Sequence, residues 1–95
     1  MFEPVSISPA ALKEIKNILE NKGIPEGYGL RLGVKGGGCG VAFKLGFDKK
    51  KEDDIEYFVE DVQVLVRKQE TMFLVGKKIE FYDEADGRGF AFVQD

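Results

Sequence analysis

Two runs of alternating apolar residues most constrain how this chain can fold. From Tyr28 onward, Leu30, Leu32 and Val34 alternate with Gly29, Arg31 and Gly33; from Val41 onward, Phe43, Leu45 and Phe47 alternate with Ala42, Lys44 and Gly46. A period of two gathers the apolar side chains on one face of an extended segment, so each run reads as a half-buried strand. Between the runs lie Gly36, Gly37, Gly38, Cys39 and Gly40. The chain's only cysteine therefore sits in a loop that joins two strands.

The flanking segments supply the rest of a small fold. Ser8 can cap free helix amides, Pro9 suits a first helical position, and Leu12, Ile15, Ile18 and Leu19 recur at helical spacing. Gly23 and Pro25 stop that helix, which is expected over about 9–22. Asp48 to Asp54 reads as a charged turn, and Glu56–Val59 with Val62–Val66 as a hairpin about Glu60-Asp61. Arg67–Leu74 reads as a short helix ended by Gly76. Lys78–Tyr82 and Gly89–Val93 read as closing strands joined by a turn carrying Asp86-Gly87. This order predicts a mainly β, β-rich α+β chain with antiparallel or mixed sheets, and its 95 residues are expected to form a single domain.

Charge and composition exclude several functions. A net charge of −3 argues against a nucleic-acid partner, and Lys49-Lys50-Lys51 is followed at once by Glu52-Asp53-Asp54, which reads as a self-cancelling solvated loop. No apolar run approaches the ~20 residues of a membrane span, and Met1-Phe2-Glu3-Pro4 lacks a leader's basic and apolar regions. The expected location is the cytoplasm. With no histidine, the Ser-His-Asp and Cys-His catalytic sets and the His-based zinc sites are absent, and one cysteine cannot form an internal disulfide.

The glycine loop does not suit a nucleotide. No Gly-Lys-Ser/Thr follows it, no window has G-x-G-x-x-G spacing, and a strand rather than a helix comes next. Two readings of Cys39 stand. It is an incidental small hydrophobe in a flexible connection, or it is an accessible thiolate whose glycine neighbours let a ligand or partner chain approach. A soft thiolate suits a soft metal or an iron–sulfur cluster, but a cluster wants about four ligands. Other ligands or other copies of the chain are then required.

The residues also resemble a family. Ser6-Ile7-Ser8-Pro9-Ala10-Ala11, the stretch from Gly23-Ile24-Pro25-Glu26-Gly27 through Gly36-Gly37-Gly38-Cys39, and Leu45-Gly46-Phe47-Asp48 are similar in order and spacing to the HesB/A-type iron–sulfur cluster carriers, which serve as assembly scaffolds. Val62–Val66, Ile79–Tyr82 and Gly89–Phe92 extend the similarity over essentially the whole chain. The resemblance implies a HesB-like domain of small mixed sheets packed as a sandwich or flattened barrel, with an N-terminal helix and one short helix. It implies a non-enzymatic carrier that holds iron or a cluster between subunits and passes it to apo iron–sulfur proteins, working with the cluster assembly machinery.

The family's ligands are a cysteine in the Gly-Gly-Cys loop, which maps onto Cys39, and a Cys-Gly-Cys pair near the C-terminus. Here the sequence runs Phe90-Ala91-Phe92-Val93-Gln94-Asp95 without that pair, and Gly40-Val41 stand where the family usually has Ser-Gly. The tail is expected to have been lost naturally, with a cut before a flexible tail as the alternative. The candidate metal ligand is Cys39, with Gly37, Gly38 and Gly40 as the backbone around a bound cofactor. Asp83, Glu84 and Asp86 are secondary candidates for iron, with a solvated turn as the simpler reading. Two further functions compete: a HesB-fold interaction module that no longer binds metal, and a thiol enzyme in which only Lys35 or Lys44 is near enough in sequence to activate Cys39.

Overall fold

In the computed structural model, which describes residues 3–37, 40–85 and 87–95, the first helix begins where Ser8 and Pro9 predict. The Ser8 hydroxyl accepts a hydrogen bond from the Ala11 amide at 3.1 Å, and Pro9 opens α1 (Pro9–Asn21). The helix buries Ala11, Leu12 and Ile15, and Gly23, at φ 73°, turns the chain away from it. A feature absent from the sequence expectation precedes it. Val5–Ile7 is a strand, β1, and the Ser8 amide continues its ladder by donating to the Ile79 carbonyl at 2.9 Å.

The alternating runs become β2 (Tyr28–Gly37) and β3 (Gly40–Lys49), and the expected hairpin becomes β4 (Asp54–Val59) and β5 (Val62–Arg67). Arg67 thus ends a strand rather than starting a helix. A 3-10 turn (Lys68–Glu70) and a one-turn α2 (Thr71–Leu74) follow it, then β6 (Lys77–Glu84) and β7 (Gly87–Gln94).

These strands form two mixed sheets. One has the order β1-β6-β7, with β1 parallel to β6; the other has the order β3-β2-β5-β4, with β2 parallel to β5 over Leu30–Leu32 and Val64–Val66. Leu30, Leu32, Val64 and Val66 face inward from the four-stranded sheet, Val5 and Ile79 from the three-stranded one, and α1 closes the same core with Ala11, Leu12 and Ile15. The β-rich, sandwich-like fold with one longer and one short helix matches the expectation. Among the described residues no helix is long and apolar enough to cross a membrane.

Tyr57 joins the two sheets. It is buried at 1% exposure on β4, and its hydroxyl donates to the Val5 carbonyl of β1 at 2.8 Å. Burial, with the negative charge of Glu3 adding to it, pushes the phenol up from 10.0 to about 12. Tyr57→Phe keeps the ring and removes this bond, so it should lower stability by about 1 kcal/mol in chemical denaturation. Because the folded state holds the phenolic proton more tightly, wild-type stability should fall as pH rises from 10 toward 12. The Phe variant should lose that part of the alkaline slope; an unchanged slope would remove Tyr57 as its source.

Candidate metal centre

Strands β2 and β3 outrun the sheet that they belong to. They pair with each other from Tyr28 opposite Lys49 to Gly37 opposite Gly40, whereas β5 accompanies β2 only as far as Leu32. Beyond that point the two strands form an arm whose described end is the Gly37–Gly40 pair. Gly38 and Cys39, between those ends in sequence, lie outside the described residues, as does Asp86. Of the four predicted site residues, then, the structure places the backbones of Gly37 and Gly40 as facing partners.

Three sets of contacts fix the described part of the arm. At its base the Arg31 guanidinium holds the Asp54 carboxylate with two hydrogen bonds, one from Nη1 to Oδ1 and one from Nη2 to Oδ2 at 2.8 Å, while Nη2 also donates to the Lys49 carbonyl at 3.0 Å. The Lys51 amide donates to Asp54 Oδ2 at 2.7 Å. This corrects the reading of 49–54 as a solvated loop, because the Asp54 side chain is fully buried and ties β4 to the base of the arm. Burial pushes its carboxyl up, but the Arg31 and Lys51 hydrogen bonds and the Arg31 charge outweigh this and leave it below the usual aspartate value. The same bond to Asp54 raises Arg31 further, keeping the pair charged.

Farther along, the Val34 amide, which has no β5 partner, donates to Glu70 Oε1 at 2.9 Å. On the other strand Phe43 stacks on Phe92 of β7, with ring centroids 5.1 Å apart, and Lys77 Nζ lies 5.4 Å above the Phe43 ring. Phe43, Leu45, Phe90, Ala91 and Phe92 line an open cavity of about 430 Å³ between β3 and β7. The last strand therefore lies against the cysteine arm.

The other candidates do not join it. Asp83 and Glu84 are exposed at the far end of the β6–β7 hairpin, opposite Arg88 and Gly87, and Asp83 pairs with Arg88 Nε at 3.3 Å. Phe92 lies four positions along β7 from Arg88, a span of about 13 Å. Lys35 and Lys44 are placed opposite Ala42 and Gly33 on the arm. Among the described residues no three Asp, Glu, Cys or His side chains converge to hold a metal ion. Sequence reasoning missed Asp54 and Glu70; the one was hidden in a charge run, the other in a short helical stretch.

Comparison with known proteins places this geometry. A profile of the family described as "Iron-sulphur cluster biosynthesis" matches residues 4–94. The chain is 37% identical over 91 residues to an iron-binding protein IscA of an Enterobacter species, which covers 94% of this chain and 83% of that one. The crystal structure of Escherichia coli SufA, involved in biosynthesis of iron–sulfur clusters, superimposes with a TM-score of 0.83 at 26% identity over 99% of this chain and 82% of SufA. A structure of IscA with a [2Fe-2S] cluster shares the fold at 20% identity and a TM-score of 0.73, over 95% and 81% of the two chains.

The anchor at the base of the arm carries its own test. Asp54→Asn leaves Arg31 largely buried and facing a neutral amide, and should cost about 3 kcal/mol, the low end for a broken buried pair because Arg31 keeps Asp48 and the Lys49 carbonyl nearby. A depressed carboxyl contributes stability above its unfolded value of 3.8 and loses it as pH falls through the lower folded value. Acid titration of stability should therefore be shallower below about pH 4 in Asp54→Asn than in wild type. Equal slopes would mean that the pair does not govern acid unfolding.

Proposed function

The chain belongs to the iron–sulphur cluster biosynthesis family, and from that membership we propose that it is a carrier that takes up iron or an iron–sulfur cluster on Cys39 and passes it to apo-proteins. The protein is of the IscA and SufA type. The iron-binding name of its IscA relative supports iron as the cargo. The observation that carries the reading is the arm itself, in which bare glycine backbone leads to the chain's only thiol from a base locked by Arg31 and Asp54.

The chemistry follows from the ligand count. A thiolate is a soft donor suited to iron in a sulfide cluster, and one thiolate leaves about three positions to other donors. Cys39 of at least one further copy of the chain supplies part of the set, and small thiols such as glutathione complete it. The cargo therefore lies between subunits, and glycines around Cys39 let a second backbone come close. Handover is ligand exchange. An acceptor thiol loses its proton and bonds to iron as the Cys39 sulfur leaves and takes up a proton; no electron changes hands. Few protein ligands per chain make the hold weak enough for release. In this reading residues 1–95 act as one domain, in the cytoplasm, alongside the cluster assembly machinery, and the protein is a carrier rather than a catalyst.

Anaerobic reconstitution with ferrous iron and sulfide tests the proposal. Wild type should gain the visible charge-transfer absorption of a thiolate-bound cluster, and Cys39→Ala should remain colourless with an unchanged far-ultraviolet circular dichroism spectrum. Equal absorption in both proteins would place the cargo elsewhere, and none in either would favour the metal-free interaction module.

A further inference from the structure

β2 changes neighbours at Gly33. Up to Leu32 its outward amides are satisfied by β5, but β5 ends at Arg67 and the chain turns into the 3-10 turn. The next amide on that side belongs to Val34, and a strand amide without an acceptor is costly where it is partly buried. Glu70, the last residue of the 3-10 turn, takes over the role that β5 gives up: its Oε1 accepts from Val34 N at 2.9 Å. The carboxylate is mostly shielded, at 18% side-chain exposure, and its other oxygen lies 3.8 Å from Arg67 Nη1. Gly33 makes room for it, since a Cβ at that position would stand 2.8 Å from Oε1.

We propose that Glu70 is a positioning residue for the cysteine arm, its carboxylate replacing the missing β5 partner and fixing the direction in which residues 33–37 leave the sheet. Arg31 and Asp54 hold the arm at its base, and Phe43 is held from the β3 side by Phe92. Among the described residues, Glu70 supplies a hydrogen bond on the β2 side beyond the sheet. Its geometry stands on described residues alone, while its consequence for iron rests on the carrier reading above. A two-stranded ribbon is marginal in water without support, so loss of this contact should free the arm while the core persists.

Amide hydrogen exchange on the full chain, with thiol reactivity and iron retention, tests this. In Glu70→Ala, exchange at Val34 should quicken by about 10- to 100-fold while Leu32, still paired with β5, is unchanged. The rate at which Cys39 reacts with an aromatic disulfide reagent should shift by about threefold or more, and iron loss from the reconstituted protein to a chelator should accelerate. Glu70→Gln, which retains an acceptor oxygen at the same reach, should behave as wild type in all three measurements. Gly33→Ala keeps the carboxylate but occupies its place, and should reproduce Glu70→Ala at Val34. Unchanged Val34 exchange in Glu70→Ala, or Glu70→Gln behaving like the alanine variant, would overturn the assignment. A wild type that takes up no iron would overturn the carrier reading instead, with exchange and thiol rates still deciding the role of Glu70.

Discussion

The parallel pairing of Leu30–Leu32 with Val64–Val66 is the interaction on which the rest of the structure depends. Its four apolar side chains, Leu30, Leu32, Val64 and Val66, are fully buried and form the centre of the core that both sheets and α1 share. The pairing with β5 ends at Leu32, so β2 continues without it, and the turn after β5 is delivered next to the point of departure. The core pairing and the protruding arm are two results of one alignment.

That alignment explains how a small protein can carry a ribbon of bare backbone beyond its core. Glycines lose more freedom on folding than other residues and give no side-chain packing in return, so a glycine-rich ribbon needs order imposed from outside. The order here comes from three side-chain contacts: Arg31 with Asp54 at the base, Glu70 with Val34 at the first unaccompanied amide, and the Phe43–Phe92 stack on the opposite strand. The arm's described end is the Gly37–Gly40 pair, and the lack of a Cβ at either residue supports the proposed uptake and release of cargo at Cys39.

Much of this was legible in the sequence because it is local. Ser8, Pro9 and the spacing of Leu12, Ile15 and Leu19 mark α1, and the two alternating runs mark β2 and β3 within a few residues. What was missed depends on distant partners. β1 is three residues long, and its partner Lys77–Ile79 lies some seventy positions later, so nothing near Val5 announces a strand. Asp54 looks like the end of a charged turn until Arg31, 23 positions away, folds onto it. Glu70 carries no signal at all, because its purpose is set by where a strand 36 positions earlier loses its neighbour. The family resemblance supplied the chemistry of Cys39, which periodicity alone left between a buried thiol and a ligand.

The central claim is that Cys39 holds its cargo between copies of the chain. Native mass spectrometry of the anaerobically reconstituted protein measures this directly, because it weighs chains and iron together. Iron and sulfide are expected only in species that contain two or more chains, with apo-protein in the single-chain species. Iron–sulfide mass retained by single chains, or by assemblies of Cys39→Ala, would contradict it.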